Sequence, residues 1–321
     1  MMMREGNDDM LCKSCTPSSS SSKAERPWYL KGDCPKLRYK MRFKDDEGIA
    51  VKTLSLDEET KIFLNGCKGS IWNELMYHIG IVLERCFSKT DVNGFLGRGS
   101  MHVISTAQAK ILLGGLSNGS LLDIGAGDGN VTQNLAPLFR RVVTTEVSVP
   151  MCKRLRDRGW ECINTELPTA ASLKHEKFDY VSLCNVLDRC DRPRTLLQQI
   201  RQQMLVKGGR LLLAVVLPFC PFVERGAKKV SPKELLPLRG GLCPCSLPPL
   251  ASRRYPRFET CVSHMIRDVF IPAGYDVESV SRVPYLSKGG RYNNPFYVLQ
   301  DAVFVLKSSE RQCDITMQGD S

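Results

Sequence analysis

Short apolar runs alternate with helical patterns over residues 120–306. The runs predict seven strands, at 120–124, 141–146, 161–164, 178–184, 210–217, 277–284 and 296–306. Apolar residues three and four apart predict the helices between them, at 130–138, 149–158, 193–205 and 259–273. Strands that alternate with helices form an α/β fold, a parallel sheet with helices on both faces. Because only a loop separates the last two strands, we expect them to pair as an antiparallel hairpin at the sheet edge.

The segments around this core have different patterns. Before the first strand, apolar residues at helical spacing predict an N-terminal helical cap: Ile62, Phe63, Ile71, Leu75, Met76, Ile79, Val82 and Leu83. The N-terminal segment is Ser-rich and basic without periodic apolar residues, and it is therefore predicted to be dispensable. The resulting organisation is a disordered tail at 1–45, the cap with a glycine-rich loop at 46–118, a main domain at 119–307 and a disordered tail at 308–321. Within the main domain, residues 224–258 are rich in Pro, Gly and basic residues and predict a long loop, for which disorder is favoured over function.

Composition narrows the class of protein. A chain of 321 residues with 42% hydrophobic content can bury one large core. The net charge of +11 is spread along the chain, which favours a solvated surface over a nucleic-acid footprint. We find no signal peptide and no apolar run of the roughly 18 residues that a membrane span needs. The 14 cysteines therefore predict reduced thiols in an intracellular, cytoplasmic protein. The Cys243–Cys245 spacing is one residue short of the usual zinc pair, so no metal is predicted.

The first predicted strand ends in a glycine-rich turn, LLDIGAGDGN at 121–130. Glycine is needed where a ligand approaches the backbone closely or where φ is positive. The next strand ends in Glu146, 21 positions after Gly125. An acid about 20 residues after such a turn holds the ribose hydroxyls in βαβ nucleoside sites. Together, the turn and Glu146 predict a nucleoside-binding site.

The acid that precedes the glycines narrows the choice of nucleoside. A dinucleotide site carries Gly-x-Gly-x-x-Gly, whereas this chain has Asp123 followed by Gly125, Gly127 and Gly129. Asp123 would repel a pyrophosphate and suits a cation, such as the amino group of a methionine moiety. The pattern resembles motif I of the class I S-adenosylmethionine-dependent methyltransferases. Their Rossmann-like seven-stranded sheet with a terminal hairpin resembles the element order predicted above.

Three further segments supply candidate site residues. Asn185 and Asp188 follow the fourth strand, where the ligand crevice of an open parallel sheet lies. Alternatively, Asp188 caps the next helix or pairs with Arg189. Arg98, in the loop GFLGRGSM, is predicted to bind the carboxylate of the cofactor, unless this loop is only a linker. Tyr297, near the start of the last strand, either belongs to the core or projects into the site.

A closer resemblance comes from the order of seven segments between residues 60 and 307. NGFLGRGSM, LLDIGAGDG, TTEVS, NVLDRCDRPRTLL, AVVLPFCPFVE, RVPYL and YVLQDAVFVLK resemble the DREV family of methyltransferases. The resemblance implies a protein-histidine methyltransferase that modifies the N1 (pros) nitrogen in His-x-His segments in which x is small. It also implies S-adenosylmethionine binding by Asp123, Gly125, Gly127 and Glu146, a role for Asn185 and Asp188 at the imidazole, and a role for Tyr297 in the substrate pocket. The first residues are Ser-rich where the family has an apolar leader, so a cytoplasmic rather than an endomembrane or mitochondrial placement is expected. An extra residue lies between Tyr292 and Tyr297.

The residue types allow a simple chemistry. Methyl transfer from a sulfonium mostly needs positioning, and neutral imidazole is a nucleophile near neutral pH. We expect Asp188 to accept the other ring N–H, and Asn185 to orient the ring or the cofactor. Two alternatives stay open: a methyltransferase of small molecules or RNA, and an inactive scaffold with the same fold. An RNA enzyme would favour Asn-Pro-Pro-Tyr where this chain has NVLD, and a scaffold would not need the intact turn and Glu146.

Overall fold

A mixed sheet forms the centre of the protein. The computed structural model describes residues 36–43, 48–238, 257–291 and 294–309. Among these residues the sheet has nine strands: β1 (Ala50–Val51), β2 (Met101–His102), β3 (Ser120–Ile124), β4 (Arg141–Glu146), β5 (Glu161–Asn164), β6 (Phe178–Cys184), β7 (Leu205–Val216), β10 (Tyr275–Arg291) and β11 (Asn294–Ser308). A separate hairpin consists of β8 (Val223–Arg225) and β9 (Lys228–Val230).

Eight α-helices surround the sheet in the described ranges. They are α1 (Glu58–Gly66), α2 (Ile71–Leu83), α3 (Lys89–Leu96), α4 (Thr106–Leu113), α5 (Asn130–Leu135), α6 (Val149–Asp157), α7 (Pro193–Gln199) and α8 (Phe258–His264). The helices α7 and α8 continue as π-helical turns, at Ile200–Met204 and Met265–Phe270. The helices α1 to α3 form the predicted cap.

The strand order is β1-β10-β11-β7-β6-β3-β4-β5, with β2 paired to β10. The strands β3 to β7 run parallel, and β11 is antiparallel to both β7 and β10. The predicted α/β sheet with an antiparallel terminal hairpin is therefore confirmed. The last two strands are longer than predicted, because each supplies the other with hydrogen bonds beyond the point where the apolar pattern ends. The two-residue strands β1 and β2 are too short to produce a pattern.

Both faces of the sheet are buried. Leu121 and Leu122 are neighbours on β3, yet they belong to clusters on opposite faces, as do Leu212 and Leu213 on β7. Alternate residues of a strand point to opposite faces, so a strand that is covered on both sides has an unbroken apolar sequence. This explains why the parallel strands were visible as continuous apolar runs.

The segment 36–43 contradicts the predicted disordered tail. Leu37, Tyr39, Met41 and Phe43 are partly buried against three different hydrophobic clusters. The basic residues between them, Lys36, Arg38, Lys40 and Arg42, are exposed. The alternation is that of an extended segment with one buried face, which a search for helical spacing misses. Burial raises the pKa of Tyr39 to about 12, against the opposing effect of hydrogen bonds to Gln108 and Thr60.

The predicted loop 224–258 also differs from expectation where the structure describes it. Its first part forms the β8–β9 hairpin, and Leu236 joins the main core. The buried carboxylate of Asp191 holds this region through ion pairs to Arg225 (3.1 Å) and Lys233 (3.0 Å). Residues 239–256 lie outside the described residues. The two ion pairs that order this region come from Asp191, in another segment of the chain. The local composition therefore did not predict an ordered hairpin here.

Two findings concern membranes and thiols. No helix in the described ranges combines the length and the apolar character that crossing a membrane requires. Seven of the described cysteines are free thiols, whereas Cys220 is disulfide-bonded. The prediction of reduced thiols throughout the chain is therefore wrong at Cys220.

Candidate functional site

The candidate site lies where the carboxyl ends of β3, β4 and β6 meet. The glycine turn follows β3, Glu146 ends β4, and Asn185 follows β6. The antiparallel strand β11 passes the same edge, where Asp301 pairs with Val216, the last residue of β7. Four chain segments that are distant in sequence therefore bring polar side chains to one edge of the sheet, as the parallel topology predicts.

The glycine turn has the backbone conformation that its sequence predicted. The φ angles of Gly125, Gly127 and Gly129 are +68°, +59° and +81°. A Cβ atom at Gly125 would lie 2.4 Å from Cγ2 of Val186, so a side chain there would push apart the turn and the loop after β6. The N–H groups of Gly125 and Ala126 both donate to the carbonyl oxygen of Thr145. The turn is thus fixed against the end of β4.

Glu146 stands where the 21-residue spacing placed it. Its Oε2 accepts the N–H of Gly127 (2.9 Å), and its Oε1 accepts the N–H groups of Val147 and Ser148 (both 2.9 Å). Burial raises the pKa of Glu146, and these three hydrogen bonds oppose the increase. An ionised carboxylate has about four acceptor positions, so three backbone bonds leave capacity for one further donor.

Asp123 lies beneath the turn rather than on its surface. Its two oxygens accept hydroxyl hydrogens from Ser182 and Thr132, each at 2.6 Å, and the residue is 2% exposed. Burial is the main cause that raises the pKa of Asp123 to about 6. The residue links β3, β6 and α5, and it places a carboxyl group directly behind the turn. Its predicted contact with a cofactor amino group stays a prediction.

The structure contradicts the predicted role of Arg98. Its Nη1 donates to the carbonyl oxygens of Met76 and Tyr77, its Nη2 to Glu84 and Asn93, and its Nε to Asn93. All five N–H groups are therefore engaged in fastening α2 to the end of α3. No donor remains for a ligand carboxylate.

The rest of the glycine-rich loop does approach the turn. Ser100 Oγ donates to Asp128 Oδ2 at 3.1 Å, and Asp128 Oδ1 accepts the N–H of Asn130 at 3.2 Å. A Cβ atom at Gly127 would lie 3.6 Å from Cε of Met101. The loop therefore covers the turn through Ser100 and Met101, and not through Arg98 as predicted.

Asp188 is buried and half paired. Its Oδ2 lies 2.6 Å from Nη1 of Arg189, while its Oδ1 has no hydrogen-bond partner. Burial raises the pKa of Asp188 to about 6, against the lowering effect of Arg189. The helix α7 starts at Pro193 without a side-chain cap, so Asp188 is not a helix cap. The alternative pairing with Arg189 exists, but it occupies only one carboxylate oxygen.

Asn185 has an unusual backbone and an unexpected partner. Its φ of +57° lies in the left-handed region, which is uncommon for residues other than glycine. Its Nδ2 donates to Oδ2 of Asp301 at 2.8 Å, and its Oδ1 has no partner. Asp301 is fully buried, its Oδ1 also has no partner, and burial raises its pKa well above the ordinary value. Sequence analysis missed Asp301, although a lone acid within the apolar run 298–306 was a visible signal.

The hairpin β10–β11 places Tyr285 closer to these acids than Tyr297. Burial raises the pKa of Tyr285, and the charges of Asp301 and Asp188 raise it further. Tyr297 is paired with Ser287 and therefore lies on the same face of the sheet as Tyr285 and Asp301. It lies four positions before Asp301, roughly 13 Å along a strand. The structure thus brings together Asn185, Asp188, Asp301 and Tyr285, and the role of Tyr297 stays a prediction.

The fold and the side chains at the carboxyl edge define a class, a Rossmann-like α/β protein with a glycine turn after β3 and two buried acids, Asp188 and Asp301, with unpaired oxygens. The family model of the DREV methyltransferases matches residues 47–308. The chain therefore belongs to the DREV methyltransferase family. No cluster of three or more potential metal-ligand side chains occurs among the residues that the structure describes.

Solved structures with low similarity were also found. A putative methyltransferase from Bacillus halodurans C-125 is 14% identical to this chain, with a TM-score of 0.39. The match covers 64% of this chain and 98% of that chain. The N-methyltransferase NodS from Bradyrhizobium japonicum WM9, in complex with S-adenosylhomocysteine, is 16% identical, with a TM-score of 0.34 and coverages of 62% and 82%. A complex of the Haloferax volcanii Trm112 methyltransferase activator with a putative methyltransferase gives 19% identity and a TM-score of 0.28. There, 31% of this chain is covered, and the chain spans 46% of the length of that relative. Membership in the DREV methyltransferase family is shown by the match over residues 47–308.

Proposed function

We propose that this protein is an S-adenosylmethionine-dependent protein-histidine methyltransferase that forms N1(pros)-methylhistidine in His-x-His segments in which x is small. The observation that carries the proposal is the unpaired Oδ1 of Asp188, a buried acceptor beside a nucleoside-binding turn. Buried acceptors are nearly always hydrogen-bonded in folded proteins, so an unpaired one at a site indicates a ligand donor. A neutral imidazole offers one N–H donor and one nucleophilic nitrogen.

The residues of the turn fit S-adenosylmethionine. A side chain at Gly125 would push the turn away from the loop after β6, and Glu146 retains acceptor capacity for one ribose hydroxyl. The carboxyl group of Asp123, just beneath the turn, favours a positively charged ligand above it. When bound, S-adenosylmethionine supplies the electrophilic methyl group. The protein itself then has to position the acceptor and stabilise positive charge.

Asp188 meets both requirements. Above its pKa of about 6 the side chain is ionised, so near neutral pH Oδ1 can accept the ring N–H that is not methylated. This selects the tautomer in which the attacking nitrogen is unprotonated. The same negative charge stabilises the imidazolium that develops during transfer. Arg189 holds the other oxygen and so keeps the carboxylate from rotating.

Asn185 and Tyr297 have supporting roles in the proposal. Asn185 presents an unpaired amide oxygen that can orient the ring or the cofactor, and Tyr297 lies on the same face of the hairpin. Neutral imidazole needs no general base stronger than water, because its unperturbed pKa is about 6.5. A cytoplasmic location and protein substrates without nucleic acid follow from the sequence and stay predictions.

The test is a transfer assay with labelled S-adenosylmethionine. A peptide with a His-Ala-His segment is compared with the same peptide in which both histidines are replaced by glutamine. We expect label only in the histidine peptide, and mass spectrometry should place it on the pros nitrogen. A wild-type protein that binds the cofactor but labels neither peptide, or labels both equally, would refute the histidine proposal.

A further inference from the structure

Asp301 is a buried acid that the proposed chemistry leaves unused. It lies on the central strand β11, between β7 and β10, and is fully buried. One oxygen accepts Nδ2 of Asn185 and the other has no hydrogen-bond partner. Among ordinary core positions an unpaired buried carboxyl destabilises the fold, and an apolar residue would pack there without that cost. Its presence at the site edge therefore indicates a role in function.

The backbones of Asn185 and Asp301 are both held by the sheet. The backbone N–H of Asn185 donates to the carbonyl oxygen of Ala214, and its φ of +57° sets the direction in which the side chain leaves the strand. Asp301 is held opposite Val216 by the β11–β7 pairing. With both backbones fixed by the sheet, what remains is which end of the Asn185 amide points into the site. The amide torsion is roughly two-fold, so the local backbone does not decide between the two ends.

An ionised carboxylate at position 301 can decide it, because it has only acceptor atoms and no proton to donate. In the observed pair, Oδ2 of Asp301 accepts from Nδ2 of Asn185 at 2.8 Å. The amide oxygen must then face away from Asp301. An amide or a hydroxyl group at position 301 would accept from Nδ2 or donate to Oδ1 with little preference.

We propose that Asp301 is a positioning residue of the methyl-transfer site, which orients the Asn185 amide so that its oxygen faces the bound acceptor or cofactor. The proposal rests on the proposed methyltransferase function and adds a residue to it. Asp301 acts only through Asn185 and touches no reacting atom.

The decisive variant is Asp301→Asn, which conserves shape and removes the directional preference. We expect turnover to fall by about 10- to 100-fold, a typical cost of misplaced active-site groups. The affinity for S-adenosylhomocysteine should not change. The melting temperature should stay the same or rise, because a buried acid is removed. If Asp301 had only a structural role, the variant would instead have a lower melting temperature, and its turnover at temperatures below that point would be unchanged.

A swapped pair provides the rescue. In Asn185→Asp/Asp301→Asn, the amide at position 301 donates to the carboxylate at position 185, whose second oxygen again faces the site. This double variant should turn over faster than Asp301→Asn alone. Asp179→Asn is the matched control, since Asp179 lies at the opposite edge of the sheet and accepts from Ser120. It should lose melting temperature and keep its turnover.

Two acceptors keep the two proposals separate. Each variant is assayed with the His-Ala-His peptide and with protein lysate from cells that lack this enzyme. If the wild type labels the lysate but not the peptide, the histidine proposal fails, and the variants are still ranked on the lysate. The positioning role is overturned if Asp301→Asn retains wild-type turnover, if it loses turnover together with cofactor affinity and melting temperature, or if the swapped pair is no faster than the single variant.

Discussion

The two edges of the central sheet use the same residue type in opposite ways. At the amino edge, Asp179 accepts the N–H and the hydroxyl hydrogen of Ser120, at 2.7 and 2.9 Å, and its pKa is lowered by these hydrogen bonds. At the carboxyl edge, Asp188 and Asp301 each have an unpaired oxygen and a pKa raised by burial. The paired acid stabilises the fold, whereas the unpaired acids destabilise it and are available to a ligand. An unpaired buried carboxyl therefore separates a site from a structural contact more clearly than burial alone.

Among the tests of this comparison, we expect the largest effect on turnover from a substitution of Asp188. In Asp188→Asn the amide can present NH₂ where an acceptor is needed, and no charge offsets the forming imidazolium. Turnover on a His-x-His peptide should fall about 10²- to 10³-fold, with unchanged affinity for S-adenosylhomocysteine. Initial rates and calorimetry measure the two quantities. A decrease smaller than about fivefold would exclude Asp188 from the mechanism.

The segment 36–43 tests whether side chains packed against the clusters from outside the sheet contribute to the stability of the fold. Deleting residues 1–43 removes four partly buried side chains, Leu37, Tyr39, Met41 and Phe43, and should lower the free energy of unfolding by about 2–4 kcal/mol. The control is deletion of residues 1–35, which the sequence predicts to be harmless. Denaturant unfolding of both proteins measures the difference. Equal stability would show that segment 36–43 contributes nothing to the fold.

A substitution of Glu146 tests cofactor binding at the carboxyl edge separately from methyl transfer. Glu146→Ala removes acceptors for the ribose hydroxyls, and affinity for S-adenosylhomocysteine should fall by at least about tenfold. Because Glu146 also accepts three backbone N–H groups, Glu146→Gln serves as the control that retains part of the turn contacts. Calorimetry on folded variants decides the matter, and unchanged affinity would contradict the placement of the ribose.

The smallest effect is the pH dependence of the two edges. Stability supplied by Asp179, whose pKa is lowered, is present above its unfolded pKa and lost as the pH falls through the folded value. For Asp188, raised from 3.8 to about 6, the folded state binds its proton more tightly, so stability decreases as the pH rises between these values. Melting curves from pH 3 to 7 should therefore show Asp179→Asn approaching the wild type at low pH and Asp188→Asn gaining on it toward pH 6. The same slope for both variants would remove the distinction.

Several site features could be predicted from the sequence because their causes are local. The bounds of the strands β3, β4, β5 and β6 coincide with the predicted ones, since buried parallel strands are continuous apolar runs. The positive φ angles of the turn follow from its glycines, and the place of Glu146 follows from the length of one helix and one strand. Asn185 and Asp188 were found because they follow a central strand.

The wrong predictions concern residues whose contacts lie far away in the sequence. Arg98 has the residue type of a carboxylate binder, but its donors are taken by the carbonyls of α2, about 20 residues away in the chain. The pattern of segment 36–43 predicts a tail, because its buried face is defined only by the clusters that cover it in the folded protein. The hairpin after β7 is held by Asp191, which no local pattern connects to it.

The order of the motifs carried the resemblance to the family. The sequence by itself also determined the fold class, the conformation of the glycine turn and the place of Glu146 at the end of the next strand. These last three follow from periodicity and spacing within short stretches, where the backbone has few choices. Only the tertiary structure decided which acids are paired and which are unpaired. Asn185 and Asp301 are 116 residues apart, and their contact exists because the antiparallel β11 enters the sheet beside β7. Hydrogen-bond satisfaction is a property of the folded neighbourhood, so it cannot be inferred from the residues one at a time.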